Sequence, residues 1–407
     1  MLEYDPKRTV SLSSPENIRQ ESEYIMNKKD ILEIRKQFTP ERCCISRICG
    51  CYVDHEKTKK FVSKSAFLSL PEEEEFKYFN LFKQTLSGTP GKNLVYMDFP
   101  TESEMPDGTQ AFLLKLRDSK LMDDMLLEEF YDRIIESFHY GENYYIILIH
   151  GTYDIPGRTK DGLEMDDASD TVYEHILCSI CPVNMSKAGL AYNEELNTIE
   201  NRVRDWVVDA PMRGFLFPAF VDRGSDLHQI IAYAKNPEDE QPDYLEKVLG
   251  AYVPLTPKTQ KATFNTILAE TLGDEGDYEA ICSIHEQINE MIEEQKDNPE
   301  PLTLGKPDVR RILSSAGVDE EKLTEFERVY DEEAGERTEL LASNVAVTRK
   351  FEIETPDIMI KVNPERADLI ETRIIDGRQC LVIAVDDHIQ VNGINVRTIA
   401  QKQNEEQ

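Results

Sequence analysis

The sequence predicts an α+β protein: a mainly antiparallel sheet with helices in the N-terminal domain, an acidic helical middle, and a small antiparallel β module at the C-terminus. Three observations carry this. Strand-like runs follow one another between 144 and 234 without regular βαβ alternation, which favours an antiparallel sheet over a doubly wound one. Helical apolar periods dominate 258–333. From 344, short alternating runs return with Asp-Gly and Asn-Gly turns between them. The 407 residues exceed a single core, which rarely grows past roughly 250–300 residues. Domains are therefore expected at 26–240, 241–340 and 341–400, between tails at 1–25 and 401–407.

Residues 1–25 are rich in Ser, Glu and Arg, lack an apolar period and read as disordered, with Met26 an alternative start. Ile31, Ile34, Arg35 and Phe38 share a helix face that ends at Pro40. Ile45–Val53 alternates as a strand, and the polar turn His55–Lys60 leads to a second. Leu70-Pro71 and four glutamates open a helix whose acidic first turn suits the macrodipole, with Phe76, Phe79 and Phe82 inward. Leu121–Phe138 is the clearest amphipathic helix, its face made by Met122, Met125, Leu126, Phe130, Ile134 and Phe138.

Strands are then expected at Tyr144–Tyr153, Val172–Pro182, Ile199–Val208 and Gly214–Phe220, and a strand or short helix at Leu227–Ala234. Pro237–Pro242 marks a boundary. Helices follow around Lys258–Leu272, Tyr278–Gln295, Pro307–Ala316 and Glu320–Glu333. Asp376-Gly377, between Thr372–Ile375 and Gln379–Val385, is a strong hairpin signal, and Asn392-Gly393 a second.

Charge is segregated along the chain. Net charge is -32, yet Lys28–Lys64 holds ten Lys or Arg against five acidic residues. From Thr266 to Pro301 the balance reverses, with eleven Asp or Glu against Lys296. A pI near 4.6 repels phosphate backbones, so nucleic-acid binding is not expected overall, and a local contact through Lys28–Lys64 is the weaker alternative. No run approaches the roughly 18–20 apolar residues of a membrane span, and residues 1–25 lack a signal peptide's apolar core. Eight cysteines without framework spacing read as reduced thiols, so the expected compartment is the cytoplasm. No pattern sets the oligomeric state.

The cysteines also carry the metal candidates. Cys49 and Cys51, two apart in a strand, point to one face beside Arg47, as a reactive pair or a metal edge would. Cys178 and Cys181 have C-x-x-C spacing, but in a strand they point to opposite faces. Cys282 and His285 are three apart, which on a helix is one face. Together these could compose a Cys₃His zinc site. The plain reading, small side chains packed on a sheet, is preferred, and no cofactor is expected.

For acid/base or anion chemistry the best constellation is Arg204 and Asp205, beside Arg202 and Trp206, with Asp222, Asp226 and His228 one strand later. The plain reading is a structural ion-pair network with Trp206 buried beneath it. Ile149-His150-Gly151 has the look of a strand-end His-Gly loop, but no G-x-S-x-G elbow accompanies it. P-loop and G-x-G-x-x-G patterns are missing too, and Gly88–Lys92 is too short to cradle phosphate.

Several segments together resemble one family: Met26–Glu33, Phe38–Arg42, Ile48–Asp54, Lys83–Gly88, Cys178–Val183, Arg204–Val207 and Phe215–Phe220. They are similar to domain-of-unknown-function family 4317 of anaerobic Gram-positive bacteria, over Met26 to about Arg397. The resemblance implies a cytoplasmic bacterial protein and supports Met26 as the usual start. It implies no activity, cofactor or site residue. The expected function is therefore a non-catalytic interaction or regulatory protein whose protein partner docks on Lys28–Lys64 or on the acidic helices around Glu290–Glu294. A hydrolase-type enzyme using Arg204, Asp205, Asp222, Asp226 and His228 is the alternative.

Overall fold

A computed structural model describes residues 28–158, 164–165, 171–251, 255–273, 278–298, 300–335, 338–347, 350–355, 357–385, 389–391 and 394–396. The expected tails, Met26 and the Asn392-Gly393 turn lie outside these residues. The fold is α+β around one large antiparallel sheet. Its strands are β1 (Ile45–Val53), β2 (Lys59–Ala66), β3 (Leu94–Asp98), β4 (Tyr144–Ile155), β5 (Thr171–Met185), β6 (Trp206–Val208), β7 (Arg213–Phe217) and β8 (Gln229–Ala234). The order is β2-β1-β4-β5-β7-β8-β3. The short β6 pairs with the far end of β5 beside β7. Between β6 and β7 the chain leaves the ladder at Pro211, which has no N–H to donate.

Both sheet faces are covered. Ile146, Leu148, Ile176, Cys178 and Ile180 face α3 (Thr109–Asp118) and α4 (Asp124–Ser137). Ile147, Ile149, Leu177 and Cys181 face α1 (Lys28–Arg35) and α2 (Glu72–Thr85). Strands buried on two sides need apolar residues at every position, which explains the unbroken run Tyr144–Ile149.

Two helix faces differ from the periodicity reading. In α2, Phe79 and Phe82 are buried but Phe76 is half exposed. Met122, just before α4, and Met125 in it face water, and the buried face is Leu127, Phe130, Tyr131, Ile134 and Ile135. The Asp123 carboxylate accepts the backbone N–H of Met125 and Leu126, so the cap starts the helix later and sets its phase.

The helical region packs α5 (Pro257–Leu272), α6 (Tyr278–Glu294), α7 (Lys306–Ser315) and α8 (Glu320–Glu333) around Phe264, Ile284, Ile312 and Phe326. Leu340, Ala342 and Val345 complete this core. The region meets the sheet at the Gly88–Lys92 turn. The Asn344 Nδ2 amide donates to Gly91 O (3.3 Å) and Gln260 Oε1 (3.1 Å), and Leu341 lies against Gly91. Gly91 has φ +75°, and a Cβ there would stand 2.5 Å from Leu341 Cδ2, so both conformation and contact require glycine.

The C-terminal part consists of small antiparallel hairpins: Phe351–Glu354 with Met359–Val362, Ile370–Ile375 with Arg378–Ile383, and Ile389–Val391 with Ile394–Val396. Asp376 and Gly377 both take positive φ, the paired left-handed residues of a two-residue hairpin turn. Among the described residues no helix is long and apolar enough to cross a membrane.

Candidate functional site

The acid/base candidates fall into two places. Arg204 and Asp205 lie beyond the C-terminal end of β5, where Arg204 Nε donates to Ser186 O (2.8 Å) and the Asp205 N–H to Ser186 Oγ (3.1 Å). Asp222 turns the hairpin Ala219–Val221/Gly224–Asp226. Asp226 Oδ1 accepts the backbone N–H of His228 (2.9 Å), while the His228 ring meets Glu104 Oε1 at 2.7 Å. His228 precedes β8, level with the β5 segment near His175, whereas Trp206 pairs with Met185. About ten strand residues separate the groups, on the order of 30 Å. Asp226 and His228 thus meet through the His228 backbone, Asp222 sits at the tip of the same hairpin, and Arg204 and Asp205 lie elsewhere.

The metal candidates are similarly dispersed. Cys49, Cys51 and Cys178 face the α3/α4 layer, Cys181 the α1/α2 layer, and Cys282 and His285 lie on α6. Among the described residues no three His, Cys, Asp or Glu converge as a metal-holding group. Burial pushes Cys49 and Cys51 up to about 12, which disfavours thiolate.

Three of the ten basic side chains of Lys28–Lys64 are paired within the fold. Lys59 pairs with Glu128 and with Asp132 (2.7 Å), Lys60 with Asp54 (2.8 Å), and Lys64 with Asp124.

A polar relay crosses β1, β4 and β5. The register of β1 slips between Ile45 and Arg47, so Ser46 and Arg47 together oppose His150. This bulge turns Ser46 toward the histidine. Ser46 Oγ lies 2.6 Å from His150 Nδ1, and His150 Nε2 lies 2.8 Å from Glu174 Oε1. Glu174 selects the Nε2–H tautomer, which leaves Nδ1 to accept the Ser46 hydroxyl proton. Burial lowers the His150 pKa against the pull of Glu174, and Lys120 and Arg117 lower it further, so the ring is neutral near pH 7. Lys120 and Leu121 both take positive φ in the turn beside it. The arrangement can move a proton from an exposed serine hydroxyl.

A second feature is a two-stranded ribbon that leaves the sheet from the end of β5. Leu190–Asn193 pairs with Thr198–Asn201, and β6 returns the chain. Its turn is closed locally: Tyr192 Oη donates to Asn197 Oδ1 (2.6 Å), and Asn193 Oδ1 accepts the Glu195 N–H (3.0 Å). Leu190, Tyr192, Leu196, Ile199, Val203 and Trp206 are all exposed on it. Trp206, expected beneath an ion-pair network, is 54% exposed.

The whole folded body, from α1 into the last hairpin, is covered by one match. Residues 26–394 fit the family described as Domain of unknown function (DUF4317). The chain belongs to that family. No curated protein matches it. For this DUF4317 member, the site residues are thus argued from its own geometry.

Ser46 and Glu174 carried no sequence signal, because a bulge joins Ser46 to His150 across 104 residues and a cross-strand diagonal joins Glu174 to it across 24. The ribbon did carry one. Ile199–Val208 reads as a strand, and its apolar residues, with those at 190, 192 and 196, stand exposed with no element packed on them among the described residues.

Proposed function

We propose that this protein is a non-catalytic, cytoplasmic interaction protein that docks a protein partner on the 185–208 ribbon. The observation that carries this is the run of large apolar side chains exposed on a ribbon with no third strand or helix against it among the described residues. Isolated two-stranded ribbons are marginal in water, and contiguous apolar surface of this kind is what partners cover. Trp206, Tyr192 and Arg204 are the residue types that dominate binding energy in interfaces. Between Met185 and Val208 the charges nearly cancel, with Lys187, Arg202 and Arg204 against Glu194, Glu195, Glu200 and Asp205. The rest of the chain is strongly acidic, so two copies repel while a basic partner is drawn in. The partner is therefore a different protein with a basic rim around an apolar groove. The internal pairing of Lys59, Lys60 and Lys64 argues for the ribbon over the basic segment as the contact.

The test is a photo-crosslinking residue at Leu196, with one at exposed Met125 as control, followed by binding of the captured protein to a Leu190→Ser/Tyr192→Ser/Trp206→Ser variant. A heterologous adduct from 196 alone, and loss of binding in the variant, is the expected result. Adducts only between copies of the chain, or equal adducts from both positions, would contradict it.

A second reading has its own observation: the Ser46–His150–Glu174 relay supports a hydrolase-type activity in place of the Arg204/Asp205/His228 set. An active-site serine in this relay would react with a fluorophosphonate and lose that labelling in Ser46→Ala and His150→Gln. Absence of labelling in the unaltered chain would remove this reading.

A further inference from the structure

A cleft of about 890 Å³ lies between the α3/α4 side of the sheet, the Pro242–Gly250 segment and the start of α5. Small-molecule sites span roughly 300–1,000 Å³ and favour such junctions, with apolar walls and few polar groups. Here the walls are Val95, Met97, Ala232, Leu245 and Leu341. Leu245–Leu249 is wound as a π turn, a rare conformation that recurs at functional sites, and ends at left-handed Gly250. Ser103 Oγ anchors it by donating to Gly250 O (2.7 Å).

Two polar groups on the lining are incompletely matched. Arg213 is 5% exposed, yet its Nη2 donates no hydrogen bond to any of the described residues. Asp239 Oδ2 stands 3.3 Å away, close enough to pair in charge but off the N–H direction. The Tyr244 hydroxyl is buried without a partner among the described residues and lies within electrostatic reach of Arg213. A buried donor left unmatched is destabilising, and more so when it is charged. An acceptor entering the cleft would satisfy both groups.

We propose that this cleft binds a small amphipathic monocarboxylate, its carboxylate taken by Arg213 Nη2 with the Tyr244 hydroxyl alongside, and its apolar body against Val95, Met97, Ala232 and Leu245. The acidic residues decide the charge. Glu240, Glu246 and Glu339 line the cleft against Lys92, and Asp239 stands beside Arg213, so a multiply charged anion such as a phosphate is repelled. One negative charge on an apolar body fits both these residues and the walls.

The test is calorimetric titration of the full chain with phenylbutyrate, phenylbutanol and inorganic phosphate. Phenylbutyrate is expected to bind roughly tenfold or more tightly than phenylbutanol, the worth of one charge-assisted hydrogen bond. Phosphate is expected not to bind. Arg213→Gln should erase the preference for the acid over the alcohol, and Tyr244→Phe should reduce it several-fold. Equal binding of acid and alcohol, binding of phosphate as tight as phenylbutyrate, or no binding of phenylbutyrate overturns the proposal. The acid–alcohol comparison on the unaltered chain decides even if Arg213→Gln does not fold.

Discussion

Replacing His175 by Phe should flatten the acid sensitivity of the sheet domain. His175 is fully buried in β5, stacked on Tyr173 at 4.7 Å between ring centroids, and neither ring nitrogen makes a well-formed hydrogen bond among the described residues. Burial, helped by the nearby His150, pushes its pKa down to about 3. A free histidine has a pKa of about 6.5. The folded value is the depressed one, so between about pH 6.5 and 3 the unfolded chain binds a proton that the folded chain refuses. Stability is full above pH 6.5 and is lost as pH falls. From pH 7 to 5 the loss from this one ring is about 2 kcal/mol at about 1.4 kcal/mol per pH unit. Phenylalanine keeps the stack and has no proton to take up. Its larger ring presses on Gly151, whose Cβ position is 2.6 Å from the imidazole, and overpacking costs roughly 1–3 kcal/mol. That offset is independent of pH. Urea unfolding followed by circular dichroism at pH 7 and 5 reads the difference between the two slopes. If His175→Phe and the unaltered chain lose the same stability over that range, the buried neutral histidine is not there.

Three further outcomes follow from the packing. Gly91→Ala should cost about 2–4 kcal/mol, from a left-handed residue plus the Leu341 contact, and Leu341→Ala should couple to it in a double-mutant cycle; simple additivity would count against the junction. Gly214→Ala should abolish the folded sheet, because the new Cβ would lie 2.3 Å from the backbone oxygen of Cys178, and a native circular dichroism spectrum would contradict this. Iodoacetamide at pH 8 should label partly exposed Cys43, Cys282 and Cys380 before Cys49, Cys51, Cys178 and Cys181, whose thiols burial holds well above their ordinary pKa. Peptide mass spectrometry showing early labelling at Cys178 would contradict that order.

The sheet was legible wherever periodicity was strong. The runs at 45–53, 144–153 and 172–182 are strands, and Asp376-Gly377 turns a hairpin as its residue types require. Helix existence was legible too, but phase was not: in α4 the Asp123 cap, not the methionines, decides which side faces inward. The polar sites were the least legible. The Arg204–His228 set looked compact because its members are close in sequence, but β5 is long and its two ends carry them apart. The Ser46–His150–Glu174 relay and the Arg213 cleft exist only through register and domain packing, which no local spacing encodes.

Trp206 offers the most direct check on the docking ribbon, because it is the chain's only tryptophan. Its emission and acrylamide quenching should be those of a hydrated indole in the chain alone, unchanged by dilution. Addition of the protein captured from position 196 should shift the emission to the blue and shield it from acrylamide. A Trp206 already shielded in the isolated chain, or one that stays fully quenchable with that protein bound, would contradict the assignment of the ribbon as the contact surface.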